Sequence, residues 1–397
     1  MFTEEDKEEV TQFCRSLIQE KSYSGEEKGV SDKLKDFMEN HGFDKIYIDR
    51  FGNTIGCIKG KNPGLKVLFD GHMDTVTVTQ AEKWVHAPFI GEVFDGKMYG
   101  RGTSDMKGAL AAMAYAASAY AKETEKNFSG EIYVAGVVHE ECFEGVAARE
   151  ISAFVKPDYV IIGEASELNL KIGQRGRAEI IVETFGVPAH SANPEQGNNA
   201  VYQMGKVIEA IRTIEPAQHP ILGKGILELT DIKSNPYPGA SVVPEYCRAT
   251  YDRRLLVGET KESVLEPIKK VLDRLMEEND KIKAKVSYAV GKEQCYTGET
   301  IEGERFFPGW LFEESESFIQ DIYHELRENG FSPEITQYNF CTNGSHYAGE
   351  AGIKTIGLGP SRENLAHTIG EYIELDQLEK AAECYKLVMK ALLEKDT

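Results

Sequence analysis

In the stretch KVLFDGHMDTV, residues 66–76, Val67, Leu68 and Phe69 read as a strand buried on both faces. Asp70-Gly71 reads as a breaker pair, and His72 and Asp74 follow just past the strand's carboxyl end. That is the edge at which open α/β sheets hold ligands. A strand that ends in a polar loop is ordinary, so the pattern gains meaning only by repetition. EIYVAGVVHEE ends in Glu140 and Glu141, DYVIIGEAS carries Glu164, KTIGLGPSRENLAH leads to His367, and GRGTSDMKG sets Asp105 where a helix begins. Taken singly, Asp105 reads as a helix N-cap, Glu140-Glu141 as a solvated turn, and His367 carries no signal. Together they gather carboxylates and two imidazoles on one sheet edge. Buried like charges repel unless a cation offsets them, so the set points to a metal site with carboxylate and imidazole ligands.

The elements that must position these residues are also readable. Up to about residue 176, helix and strand signals alternate. Helices near 4–21 and 27–41 precede a hairpin in KIYIDRFGNTIGCIKG and the strand at 66–70; a helix at 105–122, the strand running into the two glutamates, a helix near 145–154 and DYVIIGEAS follow. This order predicts an α/β fold: a mixed, mostly parallel sheet with helices on both faces. The middle of the chain differs. RAEIIVETFG alternates in polarity, as a strand with one solvated face does. A helix at 199–214 carries Val201, Met204, Val207, Ile208 and Ile211 on one stripe. Strands near 225–233 and 245–254, a helix at 260–279 and the strand KAKVSYAV complete a β-α-β-β-α-β order, the split βαβ or ferredoxin-like layout. A helix near 312–329, the strand KTIGLG and a helix at 375–393 suit a return to the first sheet. Residues 1–176 and 292–397 are therefore expected to form one domain, and 177–291 a smaller inserted one.

Composition narrows the classes further. A chain of 397 residues exceeds what one domain usually holds, and 41% hydrophobic residues suffice for two sizeable cores. No apolar run of about 18 residues occurs, so no membrane span is expected. The acidic, amphipathic start MFTEEDKEEVTQFCRSLIQEK is unlike a signal peptide and suggests a cytoplasmic protein. With 65 acidic against 45 basic residues the formal charge is -20, which repels phosphate backbones and argues against nucleic-acid binding. The seven cysteines are scattered and form no Cys-x-x-Cys, so neither a disulfide framework nor a thiolate zinc site is expected.

The ordered motifs DGHMDTV, GRGTSDMKG, HEE, GEAS and AHTIGEY resemble those of the M20 family of dinuclear metallohydrolases. That family includes aminoacylases, acetylornithine deacetylase, succinyl-diaminopimelate desuccinylase and carboxypeptidase G-like enzymes. The resemblance spans nearly the whole chain and is nearest to a branch of selenium-metabolism-linked hydrolases and peptidases. It implies that Asp105 bridges two divalent ions, zinc first and cobalt or manganese as alternatives. His72 and Glu164 would complete one ion, Glu141 and His367 the other. Three carboxylates and a bridging hydroxide would then balance two dications. The resemblance further implies that Glu140 is the general base and that Asp74 holds the far ring nitrogen of His72. It implies a cis peptide at Asp105-Met106. His190, in GVPAHSANPEQGNNAV, would reach the substrate carbonyl or carboxylate, from its own chain or a partner subunit. Arg254 in YDRRLL would take a substrate carboxylate, with Arg253 or a plain strand-end salt bridge as alternatives, and Gly359 in GLGPS would offer backbone groups to substrate. Ser241 in PGASVVP stands where the family often has asparagine, which leaves contacts at that edge open. His139, His86 and His346 are expected to stay outside the chemistry.

The implied reaction is hydrolysis of an amide or N-carbamoyl C–N bond in a small N-acyl or N-carbamoyl amino acid or short peptide, by a chain that dimerises through an inserted lid domain. A metallo-aminopeptidase or dipeptidase is the alternative among metal enzymes. A non-catalytic metal-holding scaffold would be favoured by a broken ligand set, and a cysteine hydrolase by sensitivity to thiol blockers rather than chelators.

Overall fold

The computed structural model describes residues 3–394. The chain separates into two compact units. The first runs up to Gln174 and takes in Lys292–Glu302 and the chain from Leu311 onward; the second comprises Arg175–Gly291 and Gly303–Trp310.

The first unit is built on a mixed sheet whose central strands run in the order Lys45–Ile48, Thr54–Lys59, Ser129–Val137, Asn62–His72, Tyr159–Ile162, Lys354–Gly357, Leu170–Gln174. Asn62–His72 is parallel to both of its neighbours, and Lys354–Gly357 is parallel to Tyr159–Ile162. Four parallel strands therefore end at one edge. His72 lies opposite Val137, three residues short of Glu140, and Asp70 lies opposite Ile162, two residues short of Glu164. The helix Gly108–Glu123 is buried along most of its length, and its alanines, including Ala111, Ala112, Ala114 and Ala116, are fully enclosed. Small side chains suit a helix buried nearly all round. The final helix, Leu375–Leu393, falls where its periodicity predicts.

Two local expectations are corrected. The strand expected at 66–70 continues through Asp70-Gly71 to His72. Asp70 is tolerated in mid-strand because its carboxylate accepts hydrogen bonds from Asn343 Nδ2 at 3.0 Å and the Tyr347 hydroxyl at 2.8 Å. The helix expected from 105 begins at Gly108, with Lys107 at its N-cap, so Asp105 is not a capping residue. Asp105 sits instead in a tight segment, Thr103–Lys107, with extended backbone and a cis peptide to Met106.

The second unit is a five-stranded antiparallel sheet with the order Ile226–Asn235, Tyr246–Leu255, Gly176–Phe185, Ala284–Tyr288, and with Phe306–Phe307 on the free length of Gly176–Phe185. Its helices Ala200–Ile211 and Lys261–Glu278 pack on it through Met204, Val207, Ile211, Ile268 and Leu272, against Ile180, Val182 and Tyr251. Residues 303–310, expected with the larger domain, belong here because Phe306 and Phe307 pair with Ala178 and Arg177. No helix among the described residues is long and apolar enough to cross a membrane.

Candidate metal centre

At the edge where the parallel strands end, His72 Nε2 lies 2.8 Å from Asp105 Oδ1 and 3.6 Å from Glu164 Oε1. The other oxygen of the same aspartate, Oδ2, lies 3.1 Å from His367 Nε2, which also meets Glu141 Oε2 at 3.0 Å. Asp105 thus turns one oxygen to each histidine. Donor atoms of His72, Glu140 and Glu164 fall within 4.8 Å of one another, as do those of His72, Asp105 and Glu141. The expected ligands His72, Asp105, Glu141, Glu164 and His367 are therefore brought together, with Glu140 among them.

The electrostatics are those of an anionic pocket. Burial pushes the carboxyls of Glu140 and Glu164 well above the usual range, and nearby carboxylates add to it. Burial and Asp105 push Glu141 the same way. Burial alone would raise Asp105 too, but its hydrogen bonds to His367 and His72 hold it well below that range. The same bonds lift His367 to about 10, and Asp105 outweighs burial to raise His72. Oε1 of Glu140 is buried without a hydrogen-bond partner. Four carboxylates and two imidazoles, arranged on either side of Asp105, fit hard or borderline divalent ions.

Asp74 corrects the expectation made for it. His72 Nδ1 meets the backbone carbonyl of Asp74 at 2.8 Å, while the Asp74 carboxylate stands off at 3.6 Å. That carboxylate instead accepts the amides of Glu140 at 3.0 Å and Glu141 at 3.2 Å, and the Ser24 hydroxyl at 2.7 Å. The preceding amides are held likewise: Val138 by Asn53 Oδ1 at 2.9 Å and His139 by Glu27 Oε1 at 3.2 Å. Each amide from 138 to 141 is thus received by a side-chain oxygen, through a turn in which His139 takes φ +55°. This fixes where two adjacent glutamates point.

Gly359 is also corrected. Its amide donates to Ser166 Oγ at 3.0 Å, and its carbonyl accepts from Leu168 at 3.0 Å, so both are engaged within the fold. A Cβ at this position would lie 2.1 Å from the Gly163 carbonyl oxygen and 2.3 Å from that of Glu164, so glycine permits the strand ends to approach. His190 and Arg254 lie in the second unit. His190 is exposed and accepts from the Ala192 amide at 3.0 Å. Arg254 pairs with Asp252 at 2.9 Å, and Arg253 is buried against Glu259. His139 faces the Gln294 carbonyl, His86 stacks on Tyr99, and His346 sits between Ser152 and Glu350.

Several residues that shape the site carried no signal in spacing: Glu27, Asp70, and the fully buried Lys107, whose ammonium donates to the Leu17 and Glu20 carbonyls. Glu371 stood within AHTIGEY, yet nothing in its type distinguished it from a surface acid. The thiols argue against a cysteine nucleophile at Cys14 and Cys295, which burial pushes up to about 12 and about 11.

Residues 68–391 match the sequence family described as Peptidase family M20/M25/M40. The chain is 32% identical over 385 residues to the uncharacterized protein YgeY of Escherichia coli K12, covering 96% of this chain and 93% of that one. It is 25% identical over 394 residues to succinyl-diaminopimelate desuccinylase 2 of Ruegeria sp. TM1040, covering 96% and 94%. Its fold is similar to the crystal structure of aminopeptidase PepT from Bacillus cereus, with a TM-score of 0.75, 20% identity, and coverage of 97% and 98%.

Proposed function

Since the chain belongs to peptidase family M20/M25/M40 and is a metal-dependent hydrolase of C–N bonds, we propose that it uses two divalent ions, zinc first, to cleave the amide or N-carbamoyl bond of a small amino-acid-like substrate. The observation that carries this reading is the Asp105 carboxylate, with one oxygen 2.8 Å from His72 and the other 3.1 Å from His367. His72, Asp105 and Glu164 would hold one ion, and Asp105, Glu141 and His367 the other. Ions bound there would acidify a water and polarise the scissile carbonyl.

Glu140 would accept the proton of the attacking water at its unpartnered Oε1 and return it to the leaving nitrogen. Its burial, which raises the carboxyl's pKa above the ordinary value, favours proton uptake there. Asp74 would keep Glu140 and Glu141 aimed at different tasks through their amides. His190 would orient the substrate carbonyl. A homodimer through the second unit is supported by its edge strand Ile226–Asn235, which leaves Ile226 and Ile232 exposed. A reducing cytoplasm is supported by seven cysteines that form no disulfide.

The test is a hydrolysis screen of the zinc-loaded protein with N-acetyl, N-succinyl and N-carbamoyl amino acids and dipeptides. The N-acyl compounds are expected to turn over, in keeping with the desuccinylase relative. Turnover confined to dipeptides with a free α-amine would transfer the protein to the aminopeptidases. Glu140→Gln is expected to keep zinc and fold while losing ~10²–10⁴-fold in rate. Near-normal turnover in that variant would remove Glu140 from the chemistry.

A further inference from the structure

Glu371 is fully buried and lies four residues beyond His367. The strand after it, Tyr372–Glu374, pairs with Lys97–Tyr99, Tyr372 opposite Tyr99, and the Gly100 amide meets the Glu371 carbonyl at 2.9 Å. This pairing seats the Glu371 carboxylate beside the loop that carries Asp105. There, Oε1 accepts three amides: Gly102 at 3.1 Å, Ser104 at 2.9 Å and Asp105 itself at 3.1 Å. The other oxygen accepts from the buried guanidinium of Arg101. Gly102 makes the loop possible with φ +87°; a Cβ there would sit 2.8 Å from Thr75 Cγ2. An oxygen that receives several amides of one loop fixes that loop's course.

We infer that Glu371 is a positioning residue: its carboxylate sets the backbone that presents Asp105 to both histidines and ties that loop to the segment carrying His367. The inference rests on the reading of Asp105 as the bridge between two ions. Its consequence is that loss of Glu371 weakens both ions, although the side chain's own bonds go to amides and to Arg101.

The test uses the full chain with zinc and cobalt. Zinc affinity is measured by competition with a chelator, ligand geometry by the visible spectrum of the cobalt-loaded protein, and folding by the melting temperature of the metal-free form. Glu371→Gln is expected to weaken both zinc equivalents about 10-fold, Glu371→Ala about 100-fold, each with an altered cobalt spectrum. A merely structural residue would lower the melting temperature while leaving the folded fraction's affinity and spectrum as in the wild type. Should the alanine variant fail to fold, the glutamine variant still decides, since wild-type affinity and spectrum in it overturn the inference. Asp105→Asn separates the two levels. If it too binds both equivalents normally, the bridging reading itself falls; if it loses them while Glu371→Gln does not, only the role of Glu371 falls.

Discussion

Two adjacent glutamates at a strand end would ordinarily splay into water; Glu140 and Glu141 do not, because Asp74 receives both of their amides. A comparable constraint acts at Glu164, whose backbone leaves no room beside Gly359. Gly359→Ala is therefore expected to destabilise the protein by ~1–3 kcal/mol, the usual range for overpacking, read from the urea midpoint, and to weaken zinc binding as Glu164 shifts. An unchanged midpoint would mean that the strand ends are free to part. The convergence of these residues was legible in the sequence because histidine and acid at the ends of apolar runs are unusual together. The roles of Asp74, Gly359 and Glu371 were not. A carboxylate that receives amides looks like any acid in a sequence, and Glu371 meets the Gly102 amide from 269 positions away.

At the scale of elements, parallel strands lead into the candidate ligands His72, Glu141 and Glu164, loops carry Asp105 and His367, and the flanking segments are stapled by side chains. Glu350 is one such staple. It takes Arg149 of the helix Ala148–Val155 with both oxygens, at 2.7 and 3.0 Å, and His346 at 2.8 Å. Burial pushes its carboxyl up, but the bonds from His346 and Arg149 outweigh this and hold it at about 2. A folded value below the ordinary 4.5 means that the contribution is present above that pH and is lost as pH falls toward 2. Glu350→Gln is expected to cost on the order of 1 kcal/mol near neutrality, reduced from the full shift because the site is solvent-screened. Urea unfolding of wild type and variant should show that difference shrink on acidification to about pH 3; a difference that grows would reject the staple. The order and type of the main helices and strands were legible from periodicity. The continuation of a strand through Asp70-Gly71 was not, because it depends on Asn343 and Tyr347, far along the chain.

At the scale of the molecule, the chain holds two cores. Every candidate ligand, together with Glu140, Asp74 and Glu371, lies in the first unit, while the second is organised around its own buried set from Ala178 to Phe306. The change from continuous apolar strands to alternating ones made this division legible. The placement of 303–310 was not, because it rests on the pairing of Phe306 and Phe307 with a strand more than a hundred residues earlier. Units with separate cores can unfold separately, and an ion that binds only the folded form stabilises only the unit that holds it. Calorimetry of the zinc-loaded protein should therefore resolve two transitions. Two ions, each at ~100 times its Kd, would each add ~2.7 kcal/mol to the first unit, so chelation should lower one transition by on the order of 10 °C and leave the other in place. A single transition that moves as a whole would mean that the two cores unfold together, and two unmoved transitions would mean that the carboxylate cluster holds no ion.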